Sequence, residues 1–277
     1  MPHTIGDLLQ QAGTILVDSD SATLDAQILL AHSWQKDRSF LHAWPHRTVP
    51  ADIEREFLTL VERRRQHEPI AYIMGKKEFW SLSLQVNAHV LIPRPETELL
   101  VEHALAVLPA KRKLSVADIG TGSGAIALAI AHERPHCAIT ACDISAGALD
   151  TARANAKALH ISDVRFVQSD LFTKLGDQAF DLIASNPPYV KQQDSHLAAL
   201  RFEPGLALRA GADGLRVIEK LIAQAPAHLN KQGWMILEHG YDQKTDVCKL
   251  LEQGGFSRIE SYRDLAGHWR GVIAQLP

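Results

Sequence analysis

The chain has 277 residues, 46% of them hydrophobic and 22% charged, with 29 basic and 32 acidic side chains and a formal net charge of -3. That length fits one domain of ordinary size plus a smaller one, and the near balance of charge argues against the global basic surplus of a nucleic-acid binder. Three cysteines without a CxxC pair (Cys137, Cys142, Cys248) argue against a disulfide framework or a structural zinc site.

The N-terminus has no basic region followed by an apolar core, and no stretch approaches about 18 consecutive apolar residues, so a cytoplasmic protein without membrane contact is expected. The first seventy or so residues read as helices. Ile53, Phe57, Leu60 and Val61 fall on one stripe at helical spacing, and Leu24, Ile28 and Ala31 suggest an earlier one after the cap-rich "DSDS". After Pro69 the period changes. Leu82, Leu84 and Val86 alternate with polar neighbours, and "NAH" followed by Val90 to Ile92 suggests the second arm of a β-hairpin. The hairpin and the rigid "PRPETE" after it read as a joint, which divides the chain into a helical unit 1–74, a hairpin linker 75–96 and a larger domain 97–277.

From residue 97 onward helical and strand patterns alternate to the end, which predicts a doubly wound α/β sheet. The strands are expected at "LSVADIG", "AITACDI", "VRFVQSD", "FDLIASN", "GWMILEHG", "FSRIESYRDL" and "RGVIAQL".

"VADIGTGSGAIALAI" places Gly120, Thr121, Gly122, Ser123 and Gly124 between an apolar strand and an alanine-rich helix, where a backbone can approach a ligand and free N–H groups are on offer. The spacing is G-x-G-x-G rather than the pyrophosphate pattern, and no P-loop lysine follows. Asp143 ends the next strand, placed to accept the hydroxyls of a ribose, and Asp170 with Leu171 ends the one after. Ordinary strand-end turns with Asp caps are the bland alternative. With Asp118, these carboxylates suit a ligand carrying an ammonium group, S-adenosyl-L-methionine, better than a dinucleotide whose phosphates they would repel.

The fourth of these strands ends in Asn186-Pro187-Pro188-Tyr189. The prolines fix two φ angles and remove two N–H donors, so the Asn186 side-chain oxygen and a stiff backbone carbonyl form an acceptor-rich spot that suits both hydrogens of an –NH2 group. Tyr189 offers a ring to pack beside a planar group. The alternative is a stiff turn with Asn as a cap. No covalent nucleophile is suggested, and His132 and His136, separated by Pro135, make a poor metal pair. Glu238, His239 and Gly240, at the end of the fifth strand, are expected to support the site from behind.

"DIGTGSGAIALAIA", "SNPPYV", "RFEPGLAL", "LIPRPETELL" and "LEHG" together resemble the release factor glutamine methyltransferases (PrmC, also called HemK) from end to end of the chain. The resemblance implies a Rossmann-like class I methyltransferase sheet of seven strands with an antiparallel last strand, and a small all-α N-terminal domain joined by a β-hairpin that recognises the protein substrate. It implies methyl transfer from S-adenosyl-L-methionine to the glutamine side-chain amide in the Gly-Gly-Gln motif of class I peptide-chain release factors. Residues 120 to 124 would then pass the methionine part, Asp143 would hold the ribose, Asp170 and Leu171 would lie by the adenine, and Asn186, Pro187, Pro188 and Tyr189 would hold the glutamine. Leu171 departs from relatives with an aromatic residue there, which puts stacking in doubt. Arg94 and Glu98 are expected to order the joint more than to line the substrate mouth. A monomer without stable nucleic-acid partner or metal is expected. Two other functions stay open: an amino-group methyltransferase acting on adenine or guanine, since Asn-Pro-Pro-Tyr is shared with such enzymes, and a non-catalytic cofactor-binding module.

Overall fold

The computed structural model describes residues 2–194, 197 and 199–277. It divides into two compact units, 1–75 and 76–277, and the hairpin falls in the second.

The first unit consists of helices α1 (Ile5–Ile15), α2 (Ala22–Ser33), α3 (Arg38–Ala43), α4 (Ala51–Arg65) and α5 (Ile70–Met74). Thr4 and Asp7 form a reciprocal capping box at the start of α1, which satisfies two N–H groups that a helix leaves without partners. The core gathers Ile5, Leu8, Leu29, Leu30, Leu41, Phe57 and Val61. The stripe expected on α4 is buried at Phe57, Leu60 and Val61. On α2 the expected stripe holds at Ala31, which is buried, and fails at Leu24. Leu24 is 41% exposed, and the buried face runs through Asp25, Ala26, Leu29 and Leu30. Asp25 turns that phase, because its buried carboxylate takes Arg64 Nε at 2.7 Å together with the hydroxyls of Ser19 and Ser21, and such a network fixes which side faces inward.

The second unit opens with a hairpin of β1 (Lys76–Phe79) and β2 (Leu82–Gln85). The hairpin thus lies earlier than the alternation suggested. Leu82 and Leu84 are on its second arm, and Val90 to Ile92 lie outside any strand. Its two turn residues, Trp80 and Ser81, both take positive φ, as a tight hairpin turn requires, and Glu98 Oε1 accepts the Trp80 N–H at 2.8 Å.

The large sheet contains β3 (Ser115–Ile119), β4 (Ala138–Asp143), β5 (Val164–Gln168), β6 (Phe180–Ser185), β7 (Leu229–Glu238), β8 (Ser257–Arg263) and β9 (Trp269–Gln275). Their order is β5-β4-β3-β6-β7-β9-β8, and β9 runs antiparallel to both neighbours while the remaining pairs are parallel. Helices α6 (Glu98–Val107), α7 (Ala125–Glu133), α8 (Ala146–Ala158), α9 (Arg216–Gln224) and α10 (Lys244–Gln253) connect the strands. Two apolar clusters lie against the sheet, one including Leu100, Leu128, Ile130 and Ile139, the other Ile183, Ile218, Leu221 and Leu237. Strands buried on both faces read as continuous apolar runs, which is how "VADI" and "LIAS" behave. The chain moves outward from β3 to β5 and then returns to lay β6 on the other side of β3, so the crevice of this sheet opens between the ends of β3 and β6. Among the described residues no helix is long and apolar enough to cross a membrane.

Candidate active site

At the end of β3 the chain turns on three glycines with φ of +77° at Gly120, +56° at Gly122 and +84° at Gly124, a region that side chains other than glycine's adopt only with strain. The three have different surroundings. A Cβ on Gly120 or Gly122 would meet nothing within 4 Å, whereas one on Gly124 would lie 3.0 Å from Leu128 Cδ1 and 3.2 Å from Ala152 Cβ. Gly124 therefore seats α7 against α8, and the other two leave the turn open on its ligand side.

Side chains from the neighbouring loops hold this turn in place. Asp143, at the end of β4, accepts the Gly122 N–H at 2.9 Å on one oxygen and the Ser145 N–H at 2.9 Å on the other. Burial pushes its carboxyl above the usual range, against the pull of those N–H groups, and each oxygen keeps a lone pair for a further donor. Asn155 on α8, fully buried, donates to the Ser123 carbonyl at 2.9 Å and clasps the Gln85 backbone through both of its amide groups, at 2.6 and 3.0 Å. One side chain thus ties the glycine turn to the hairpin. Asp118 is fully buried: Oδ2 accepts from Thr121 Oγ1 at 2.6 Å and from the Ala127 N–H at 3.1 Å, while Oδ1 has no partner among the described residues. Loss of solvent pushes its carboxyl up to about 7, with Asp143 nearby adding to the shift.

On the other side of the crevice, the Ser185 hydroxyl donates to the Ile119 carbonyl at 2.6 Å and fixes the end of β6 beside the end of β3. Asn186 follows at once. Its Nδ2 donates to Thr97 Oγ1 at 3.1 Å, and the Thr97 hydroxyl in turn donates to Glu238 Oε2 at 2.6 Å. Tyr189 donates its hydroxyl to Glu238 Oε1 at 3.0 Å, and its carbonyl accepts from Gln243 Nε2 at 3.1 Å. Burial and the neighbouring Glu238 carboxylate hold the Tyr189 phenol well above its ordinary range, so it stays protonated and donating. Burial likewise raises the Glu238 carboxyl, opposed by these two hydroxyls and by Arg270.

A cavity of about 340 Å³ lies between these elements. Of the residues expected from sequence, Gly120, Thr121, Gly122, Ser123, Asp143, Asp170, Leu171, Asn186 and Pro188 line it. Gly124, Pro187 and Tyr189 are not in its wall: Gly124 packs behind the turn, Pro187 is buried, and Tyr189 packs against the core with its hydroxyl on Glu238. Leu171 sits at φ +49°, an uncommon conformation for a branched side chain, with its carbonyl facing Cys142 Sγ at 3.6 Å. No local pattern in the sequence marks Thr97, Asn155 or Ser185, although Thr97 stands inside "PRPETE". The 204–220 region also contributes Leu206, Arg209, Arg216 and Lys220, and no local pattern in the sequence marks them.

The donor set suits S-adenosyl-L-methionine. Glycine backbone, a ribose-ready carboxylate and an apolar wall of Leu171 and Ile144 share one cavity, and the partnerless Asp118 oxygen below the turn favours a ligand that brings positive rather than negative charge. The strand order, with a glycine turn after the central strand and Asn-Pro-Pro-Tyr after its neighbour, defines an S-adenosyl-L-methionine-dependent methyltransferase with a Rossmann-like sheet. Residues 95–202 match the methyltransferase small domain and residues 7–75 the PrmC N-terminal domain. Release factor glutamine methyltransferases of Pseudomonas aeruginosa and Coxiella burnetii are 48% and 45% identical to it, over 94% and 97% of this chain and 95% and 96% of theirs. A ribosomal protein L11 methylase from Lactobacillus delbrueckii subsp. bulgaricus, 24% identical, shares the fold over 70% of this chain and 86% of its own, with a TM-score of 0.53. The chain belongs to the release factor glutamine methyltransferase family.

Proposed function

We propose that this protein transfers a methyl group to the side-chain amide nitrogen of the glutamine in the Gly-Gly-Gln motif of class I peptide-chain release factors. S-adenosyl-L-methionine, when bound, supplies an electrophilic methyl on a sulfonium centre. The observation that carries the reading is the state of Asn186: its amino group is committed to Thr97, and its Oδ1 accepts no hydrogen bond among the described residues of a cavity wall. An amide –NH2 is a poor nucleophile because its lone pair is delocalised. Asn186 Oδ1, on the cavity wall, accepts one hydrogen of that group, turns the nitrogen so that its lone pair faces the methyl donor, and stabilises the positive charge that develops. This acceptor need not take the proton before transfer, since the methylated nitrogen is acidic and loses it to water afterwards.

Gly120 to Gly124 pass the methionine part, Asp143 takes the ribose hydroxyls, and Asp170 and Leu171 border the adenine through backbone and apolar contact rather than stacking. The helical unit serves recognition of the release factor, and the protein acts as a cytoplasmic monomer without a stable nucleic-acid partner. Incubation with labelled S-adenosyl-L-methionine, a release factor, its Gln→Ala variant, DNA and RNA tests the proposal. Label is expected on the release factor alone; label on nucleic acid, or undiminished label on the Gln→Ala protein, overturns it.

A further inference from the structure

We propose that Glu238 and Thr97 are positioning residues that set which way the Asn186 amide faces, so that an acceptor and not a donor is presented to the substrate –NH2. The inference rests on the proposed function for the identity of that substrate, but only on the geometry for the relay itself.

The sheet places the three groups together. Ser185 pairs with Leu237 across β6 and β7, so Asn186, just past the end of β6, and Glu238, the last residue of β7, stand side by side. Thr97 enters from the short helical turn Pro95–Thr97 at the start of α6, where it is 3% exposed. Two hydroxyl donors and Arg270 favour the ionised form of Glu238 against the push of burial; in that form it has only acceptors, and it is 2% exposed, without solvent to share them. The Thr97 hydroxyl, at 2.6 Å, must give its one hydrogen to Glu238, and the Tyr189 hydroxyl commits its own to the other oxygen. Thr97 Oγ1 is left with lone pairs only, so the group of Asn186 that faces it at 3.1 Å must be the amino group. A flipped Asn186 would bring two oxygens together there and forfeit the hydrogen bond. It would also present hydrogens to an incoming –NH2, donor against donor. The direction of every bond in the series therefore follows from the one group that cannot donate.

If Thr97 only tied α6 to β7, a methyl in place of its hydroxyl would lower stability and leave the amide's direction alone. The test uses the full-length protein and the –NH2 substrate that the wild type labels. Thr97→Val, nearly isosteric, is expected to bind S-adenosyl-L-methionine within about 2-fold of wild type and to lose about 10- to 100-fold in kcat, the scale set by misplacing a reacting group. Thr97→Ser, which keeps the hydroxyl, is expected to restore kcat to within roughly 3-fold of wild type. In an Asn186→Ala background Thr97→Val is expected to cost less than about 2-fold more, because the residue it positions is already gone.

A readout independent of turnover is the Asn186 side-chain amide resonance. One of its protons should exchange slowly in wild type and Thr97→Ser and rapidly in Thr97→Val. Wild-type kcat in Thr97→Val, a Ser variant as damaged as Val, or full additivity with Asn186→Ala overturns the relay, as does an amide proton that Thr97→Val leaves protected. If Thr97→Val fails to fold, Glu238→Gln, which keeps the volume and removes the acceptor-only constraint, is held to the same outcomes. A wild type that labels some other –NH2 group defeats the proposed function while leaving this series decisive, and the exchange measurement stands even if no substrate is labelled.

Discussion

Arg94 Nη2 lies 2.5 Å from Glu203 Oε1, and the same carboxylate accepts the Ile92 N–H at 3.1 Å through its other oxygen. The two residues are 109 positions apart, one in "PRPETE" and one in "RFEP", so this pair joins the two segments that carry the family resemblance. Its carboxylate side is 3% exposed and its guanidinium side 33%. Both segments also contribute to the cavity wall, through Pro93 and Thr97 on one side and Pro204, Leu206 and Ala207 on the other. The pair is the cross-tie that closes that end of the site.

Arg94→Ala leaves the Glu203 carboxylate buried with only a backbone N–H. The expected loss is about 2–3 kcal/mol, below the figure for a fully buried pair because Arg94 is partly solvated. Chemical denaturation gives the stability, and hydrogen exchange over 90–97 and 201–209 should rise first in those segments. Since Asn186 is untouched, substrate KM should suffer more than kcat. Unchanged exchange in both segments would show that the cross-tie is not what orders them.

Two glycines separate conformational strain from packing. Gly122→Ala should cost about 1–2 kcal/mol, from its positive φ alone, while weakening cofactor binding because the new methyl projects into open space beside the ligand. Gly124→Ala carries the same strain plus contacts at 3.0 and 3.2 Å that force Leu128 or Ala152 to move, adding about 1–3 kcal/mol. Thermal unfolding with and without S-adenosyl-L-methionine checks both, and equal losses in the two variants would contradict the distinction.

Asn186→Ala removes the acceptor on which the proposed chemistry depends. Cofactor affinity should change little, since Asp143 and the glycine turn hold the other end of the cavity, while kcat falls about 10²- to 10³-fold. Titration calorimetry for the cofactor and single-turnover transfer for the methyl separate the two effects. A parallel collapse of both would place Asn186 in cofactor binding instead.

The parts of this site legible in sequence are those that local chemistry marks. Glycines at a strand end, an aspartate ending the next strand, and two prolines after an asparagine each constrain the backbone within a few residues, and all of them lie at the crevice edge. The partners of those residues were less legible. Thr97 and Glu238 meet only because β6 and β7 are neighbours and α6 starts beside them, and 141 positions of separation leave no local trace. Asn155 in "ARANAKALH" looks like a weak helix former until the turn it clasps is known. Alternation puts the hairpin too late because β1, "KKEF", buries only Phe79, whereas Val90 and Ile92 are buried without forming a strand. Alternation reports burial, and burial does not require pairing.

Asp118 yields a prediction in which the sign matters. Burial raises its carboxyl from an ordinary 3.8 to about 7, so the folded protein holds this proton more tightly than the unfolded chain does. The group then imposes no cost below about pH 4, a growing cost as pH rises, and its full cost above about pH 7, at most about 4 kcal/mol for a shift of roughly three units. Asp118→Asn keeps an acceptor for the Thr121 hydroxyl or the Ala127 N–H and removes the titration. Relative to wild type, the ligand-free variant should therefore gain on the order of 2–3 kcal/mol between pH 5 and pH 8. Urea denaturation at those two values measures the difference. A cationic ligand that stabilises the ionised form should flatten the pH dependence of wild type, while binding to the variant raises its stability without a contribution from residue 118 to the slope, which makes the slope a gauge of whether the partnerless oxygen senses the cofactor's charge. If wild type and variant run parallel between pH 5 and pH 8 without ligand, Asp118 is ionised throughout, and burial is not what governs the charge beneath the glycine turn.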